Sequence, residues 1–110
     1  MVLILQQSAE VLLEKRPARG IWGGLWSFPE IERAAILETQ LSSRFSVQAK
    51  HVLPLAPLAH SFSHYHLTIY PLWVEVIAVQ KTMPGQVWLT LEEARGAAIP
   101  APVRKLLKRL

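Results

Sequence analysis

Leu67-Thr68-Ile69-Tyr70-Pro71-Leu72-Trp73-Val74-Glu75-Val76-Ile77-Ala78-Val79 decides the fold class. The run reads as one long strand, and both of its alternating sets are mainly apolar. Leu67, Ile69, Trp73 and Ile77 fall on one side, and Tyr70, Leu72, Val74 and Val76 on the other. A strand that is apolar on both faces is covered on both faces, so the run predicts an α+β chain with a sheet packed between helices. Working outward, Met1–Gln7 and Val11–Arg16 read as a hairpin around a turn at Ser8-Ala9. Residues 17–24 are loop, and Leu25–Phe28 is a short strand closed by Pro29. Ile31, Ala34, Leu37, Leu41 and Phe45 recur near helical spacing and predict a helix over residues 30–44. Val47–Val52 is strand-like, and Pro54 and Pro57 punctuate the stretch after it. Val87–Leu89 is a short strand, after which Thr90 and Glu93 have the spacing of a capping box. Pro100 and Pro102 precede a final helix whose Val103, Leu106, Leu107 and Leu110 make one apolar face.

Composition narrows the chemistry. A chain of 110 residues, 51% hydrophobic, is expected to be one domain with a real core rather than a disordered segment. All 8 acids are glutamates, and there is no Asp, Asn or Cys. Without cysteine there are no disulfides, thiolate zinc sites or thiol nucleophiles, which suits a reducing cytosol. Without aspartate the commonest partner in hard-metal sites and catalytic triads is missing. Residues 51–74 carry no Asp, Glu, Lys or Arg, but Pro54, Pro57, Pro71 and four histidines make a membrane span too costly. No targeting signal is recognisable.

Polar residues that could do chemistry concentrate in Ala59-His60-Ser61-Phe62-Ser63-His64-Tyr65-His66, which suits recognition of a flat, hydrogen-bonding group such as a nucleobase. In an extended segment His60, His64 and His66 would share a face, so a three-histidine metal site is conceivable, though no carboxylate or thiolate lies nearby in sequence. Ser63 and His64 are adjacent and would point apart on a strand, and no Asp exists to orient the imidazole. Capping explains Glu92-Glu93 without a metal. Arg104, Lys105, Lys108 and Arg109 line the polar face of the last helix. They form either a solvated face or a contact to phosphate or a partner. In the loop after the second strand, Arg16 and Arg19 flank Pro17, with Trp22, Gly23 and Gly24 behind. Glycines allow close backbone approach to a phosphate, and Trp22 can stack or plug the core; Trp26 reads as core.

Four blocks in order resemble a known family. They are Leu12-Leu13-Glu14-Lys15-Arg16-Pro17; Gly20-Ile21-Trp22-Gly23-Gly24-Leu25-Trp26-Ser27-Phe28-Pro29; Phe62-Ser63-His64-Tyr65-His66-Leu67; and Pro100-Ala101-Pro102-Val103-Arg104-Lys105-Leu106-Leu107. Together they resemble the C-terminal domain of the MutY adenine DNA glycosylases, a relative of the MutT/Nudix fold with a mixed β-sheet sandwiched between helices. The resemblance implies that residues 1–110 are one lesion-recognition domain of a base-excision-repair enzyme. Its N-terminal catalytic domain, with the family's iron–sulfur cluster, would be a separate part and a partner; no cofactor, metal ligand or catalytic residue is expected here. Double-stranded DNA with 8-oxoguanine opposite adenine is the implied ligand, read by a monomer in the bacterial cytosol so that the parent excises the mispaired adenine.

Oxidation of guanine replaces the N7 acceptor by a donor and adds an acceptor oxygen at C8. By the family motif Ser63 is the reader: its Oγ accepts from N7–H while its N–H donates to O8. Phe62 is expected to wedge or brace the loop or to sit in the core, and His64 to hold its shape or touch a phosphate. His60, His66, Arg16, Arg19 and Trp22 complete the expected nucleic-acid-binding set. A working Nudix hydrolase carries Gly-x5-Glu-x7-Arg-Glu-x-x-Glu-Glu-x-Gly, whose glutamates hold magnesium. Here Glu30-Ile31-Glu32-Arg33-Ala34-Ala35-Ile36-Leu37-Glu38 follows Phe28-Pro29, with no such cluster. Hydrolysis of oxidised nucleotides and a protein-interaction role are the alternatives.

Overall fold

The computed structural model describes residues 1–32, 34–62, 64–77 and 82–110, without the Phe62 side chain. Among them the strands are β1 (Val2–Gln7), β2 (Glu10–Lys15), β3 (Trp26–Ser27), β4 (Gln48–Pro54), β5 (Leu58–Phe62), β6 (Tyr65–Ile69), β7 (Pro71–Ile77) and β8 (Gln86–Thr90). The helices are α1 (Leu37–Gln40), which continues as a π-helical turn over Leu41–Phe45, α2 (Leu91–Arg95) and α3 (Ala101–Leu107). One sheet runs β3-β2-β1-β7-β4, with β8 also paired to β2. It is mixed, because β1 and β7 are parallel while the other pairs are antiparallel. β5 and β6 form a separate two-stranded sheet.

The apolar run predicted as one strand is two, in different sheets. Pro71 is the reason: it has no N–H to give a ladder, so it tolerates only the first position of β7, and it restricts Tyr70 before it. Tyr70 instead accepts a bond from the Val2 N–H at 3.0 Å, the first rung of the parallel pairing. Ala78 and Val79 lie outside the described residues. The layered architecture holds nonetheless. Leu3, Leu5, Leu12, Val74 and Val76 pack on one side with Leu41, Phe45 and Val47. Ile4, Val11 and Leu13 pack on the other with Phe28, Ala94, Val103, Leu106 and Leu107. Each fully buried leucine contributes about 1.5–3 kcal/mol, so the centre of β1 and β2 ties the two layers together.

The predicted helix over residues 30–44 begins only at Leu37. Its first part is claimed by β1: Glu30 bridges Val2, the Ile31 N–H donates to Met1 O at 2.9 Å, and the Met1 amino group donates to Ile31 O at 3.0 Å. Ile31 is therefore buried from extended backbone rather than from a helix face. After α1 the π turn buries Leu41 and Phe45 and stops at Ser46, whose φ of 53° is left-handed. The capping box is as expected: the Glu93 N–H donates to Thr90 Oγ1 at 3.1 Å, and the Thr90 N–H donates to Glu93 Oε1 at 3.0 Å. α3 opens with Pro100 as its cap and buries Val103, Leu106 and Leu107.

Candidate nucleic-acid interface

The recognition stretch folds back on itself instead of running extended. β5 and β6 pair antiparallel with Leu58 opposite Ile69, His60 opposite Leu67, Ser61 opposite His66, and Phe62 opposite Tyr65. Directly opposed residues share a face and neighbours alternate, so His60 lies on the face of Leu67 and Ile69, while His66 lies on the opposite face. This corrects the shared face expected of the three histidines. His66 Nδ1 is 2.8 Å from Ser61 Oγ, and His64 is exposed at the turn. Ser63, the expected reader, lies outside the described residues, as does the side chain of Phe62.

His60 is instead drawn into a column with the glycine-rich loop. The His60 and Trp22 ring centroids are 6.1 Å apart at an interplanar angle of 55°. The Arg16 guanidinium carbon also lies 5.9 Å from the Trp22 ring centroid, at the outer limit of a cation–π contact. Lys105 Nζ, from α3, approaches His60 Nδ1 to 3.3 Å. An ammonium has only protons to offer, so in this contact Nδ1 is the acceptor. Arg16, Trp22 and His60 are therefore brought together, while Arg19 is exposed and forms no ion pair among the described residues.

Loop backbone holds Trp22 in this position. The Arg16 N–H donates to Leu25 O at 2.8 Å and the Gly24 N–H to Pro17 O at 3.0 Å, closing the loop at its base. Arg16 adds Nε to Ile21 O at 3.0 Å and an ion pair to Glu30 at 2.8 Å. Trp22 has a φ of 54°, an arrangement that costs a bulky residue about 1–3 kcal/mol and persists only where surroundings impose it. Beneath the ring a cleft of about 160 Å³ is lined by Trp22, Phe28, Leu67, Ile69, Val103 and Leu106, among others. Trp26, read as core, is half-buried against the α3-side cluster.

One residue of this surface was left out of the expected binding set. Tyr65 is 66% exposed at the hairpin end, on the face that carries His60. Its signal was present, since it belongs to the ring-rich stretch. Lys105 was read as part of the basic face of the last helix, but its approach to His60, 45 residues away in sequence, had no local signal.

At the other side of the loop, α1 and its π turn present a different cluster. Arg44 pairs with Glu14 at 3.3 Å and donates to Glu30 O at 2.9 Å. Gln86 Nε2 donates to the second Glu14 oxygen at 2.8 Å. Both carboxylates, Glu14 and Glu30, thus already carry a guanidinium.

A mixed sheet with a helix layer on each face, a glycine-rich loop and a short helix ending left-handed defines the class: the chain belongs to the NUDIX domain family, whose model matches residues 1–109. Within it, the sequence is similar to adenine DNA glycosylases. The human protein of that name is 33% identical, over 91% of this chain and 20% of that protein. That of Buchnera aphidicola subsp. Baizongia pistaciae is 28% identical, over 98% of this chain and 31% of that protein. The chain therefore spans a third or less of the length of these curated relatives. Among solved structures, the C-terminal domain of mouse MUTYH, in complex with human PCNA, superimposes with a TM-score of 0.79 at 24% identity, over 97% of this chain and 82% of that one. The NUDIX domain of Shewanella oneidensis NrtR, in complex with ADP ribose, gives 0.70 at 12% identity, over 98% and 82%. At those identities the structures speak for the fold.

The structure bears on the Nudix box as well. Over α1 and the π turn, Leu37–Phe45, the only carboxylate is Glu38, so this segment offers no cluster of glutamates. A divalent cation needs clustered free carboxylates, and the Arg44 guanidinium takes up that of Glu14, so these residues do not fit magnesium.

Proposed function

We propose that this chain is the lesion-recognition domain of an adenine DNA glycosylase acting in base-excision repair, and that it reads 8-oxoguanine opposite adenine so that the parent enzyme excises the adenine. The observation that carries the reading is the β5–β6 hairpin end, where Ser61, His64, Tyr65 and His66 are all exposed around the Phe62-Ser63-His64 triplet. A duplex can reach such an end without any rearrangement of the core. Ser63 supplies the discrimination: one hydroxyl accepts from N7–H and one N–H donates to O8, a pairing that guanine cannot make. A good hydrogen-bonded contact of this type is worth about 1–3 kcal/mol of discrimination.

The domain itself does no bond chemistry in this reading. Excision belongs to a separate catalytic part with its iron–sulfur cluster, which a chain without cysteine cannot hold. The lack of a glutamate cluster speaks against the alternative, hydrolysis of free oxidised nucleotides. The domain acts as a monomer on DNA in the cytosol. Among the described residues no helix is long and apolar enough to cross a membrane.

The test is an NMR titration with two duplexes, carrying guanine or 8-oxoguanine opposite adenine. Amide shifts at residues 60–66 confined to the damaged duplex are expected, and Ser63→Ala should abolish the difference between the duplexes while leaving general binding in place. Equal responses to both duplexes in the unmodified protein would overturn the reading.

A further inference from the structure

We infer that the outer face of α3 is a second part of the DNA-binding surface, with Arg104, Lys105 and Lys108 following the phosphate backbone beside the hairpin. The inference rests on the hairpin being the DNA-facing element. Three observations point to it. First, the three side chains are exposed, opposite the face that buries Val103, Leu106 and Leu107. Second, the ion pairs among the described residues engage Arg16, Arg44, Lys50 and His51 with glutamates, and none engages α3. The helix contains no acid of its own. Third, Lys105 leans across to His60 at 3.3 Å, which joins the helix to the column of His60, Trp22 and Arg16.

The helix dipole favours positive charge in a last turn, and that accounts for cations near the end of α3. It does not account for a lysine directed at another element. Arg109 is different again: its guanidinium donates to Ala56 O, so it clamps the connector before β5 and is left out of the track. Arg104 and Lys108 are four residues apart, about 6 Å along the helix, and face the same way. Such a pair can serve neighbouring phosphates of one strand while the hairpin meets base edges. The division of labour is a general one, in which phosphate contacts set position and base contacts set specificity. An acidic protein surface is the competing occupant. Continuity with a hairpin of rings and imidazoles favours DNA, because stacking rings have no obvious counterpart on an acidic protein face.

The experiment compares the full chain with R104Q/K105Q/K108Q by fluorescence anisotropy over a series of salt concentrations, using duplexes with guanine or 8-oxoguanine opposite adenine. The variant's amide spectrum first confirms that it is folded. Binding of both duplexes should weaken by the same factor, about tenfold or more at low salt, and the salt slope should fall by about one per cation removed. K105R should restore most of the Lys105 share, and K50Q, on a distant edge strand, should leave slope and affinity unchanged. Where binding is too weak for anisotropy, NMR at millimolar duplex reads the same contact as shifts in α3 amides. Unchanged affinity and slope, or α3 amides that do not move, overturn the inference. So does a loss confined to the damaged duplex, since phosphates carry no lesion information. Should the unmodified protein fail to distinguish the two duplexes while the slope still falls, the lesion reading fails and the phosphate track stands.

Discussion

At Gly23 a single methyl group decides whether the loop can exist. A Cβ built there lies 2.4 Å from Ala18 O and 2.8 Å from Ala18 C, and these are backbone atoms that cannot swing aside. Gly23→Ala should lower stability by about 1–3 kcal/mol, the usual cost of overpacking. It should also disturb the Trp22 and His60 ring signals together, measured as a fall in Tm and as NMR shifts at both residues. Thr90 offers a second test, because its capping box is local. Thr90→Ala should cost about 1 kcal/mol in a urea titration. It should also change the acid response. The Glu93 carboxyl is held below the usual carboxylate range, first by the Thr90 backbone N–H and then by its side chain. A depressed folded pKa contributes stability that is complete above the unfolded value and lost as pH falls through the folded one. The unmodified chain should therefore lose more stability than Thr90→Ala on acidification below the usual carboxylate range. Equal losses would show that the backbone N–H of residue 90, which the substitution keeps, holds the Glu93 charge without help from the Thr90 side chain. The Thr90–Glu93 pair was legible in the sequence because three residues of spacing specify it. The Trp22–His60–Lys105 column was not, because those contacts come from three elements whose placement no local pattern encodes.

The hairpin β5–β6 stands on less than the rest of the fold. Two strands alone are marginal in water, so it depends on Leu58, Leu67 and Ile69 packing against the α3-side core. Ile69 is buried there, and Ile69→Ala should cost about 2–4 kcal/mol, within the range for an isoleucine-to-alanine cavity. The loss should be local first: amides of residues 58–62 and 65–69 should exchange with solvent faster than those of β1 and β7. Uniform acceleration across both sheets would mean that the hairpin opens only with the whole domain. Elements of this kind were partly legible. The β1–β2 hairpin and α3 follow from alternation and from leucine spacing. Alternation, however, continues straight through Pro71 and so conceals the break between β6 and β7. Helical spacing likewise counted Ile31, which long-range pairing with Met1 holds extended. At Ile31 a tertiary constraint overrode a sound local pattern, whereas at Pro71 the breaker itself stands in the sequence beneath an unbroken alternation.

For the molecule as a whole, the two-sided core was legible because strands apolar on both faces require two covering layers, and β1, β2 and β7 all obey that rule. Strand order was not, since the parallel β1–β7 pairing joins segments separated by most of the chain. The same topology brings Glu14, Glu30, Arg44 and Gln86 together, and there the clearest test of the domain's chemistry lies. In a hydrolase of this fold, carboxylates need a divalent cation to lie close to one another. Here Arg44 supplies the positive charge covalently, with its ion-pair side chains 37% and 26% exposed. Such a cation is always present and cannot be chelated away, but it can polarise no bound water into a nucleophile. The unmodified chain should therefore show no magnesium-dependent rise in Tm and no release of pyrophosphate from 8-oxo-dGTP. Arg44→Glu reverses the local charge and places a carboxylate against Glu14. Because both groups are partly solvated, the cost should be only about 1–2 kcal/mol. Magnesium at millimolar concentration should return part of that loss in the variant, and calorimetry with and without chelator reads it directly. A magnesium-dependent Tm rise in the unmodified chain would mean that Glu14 and Glu30 are free enough to bind a cation, and the hydrolase alternative would reopen.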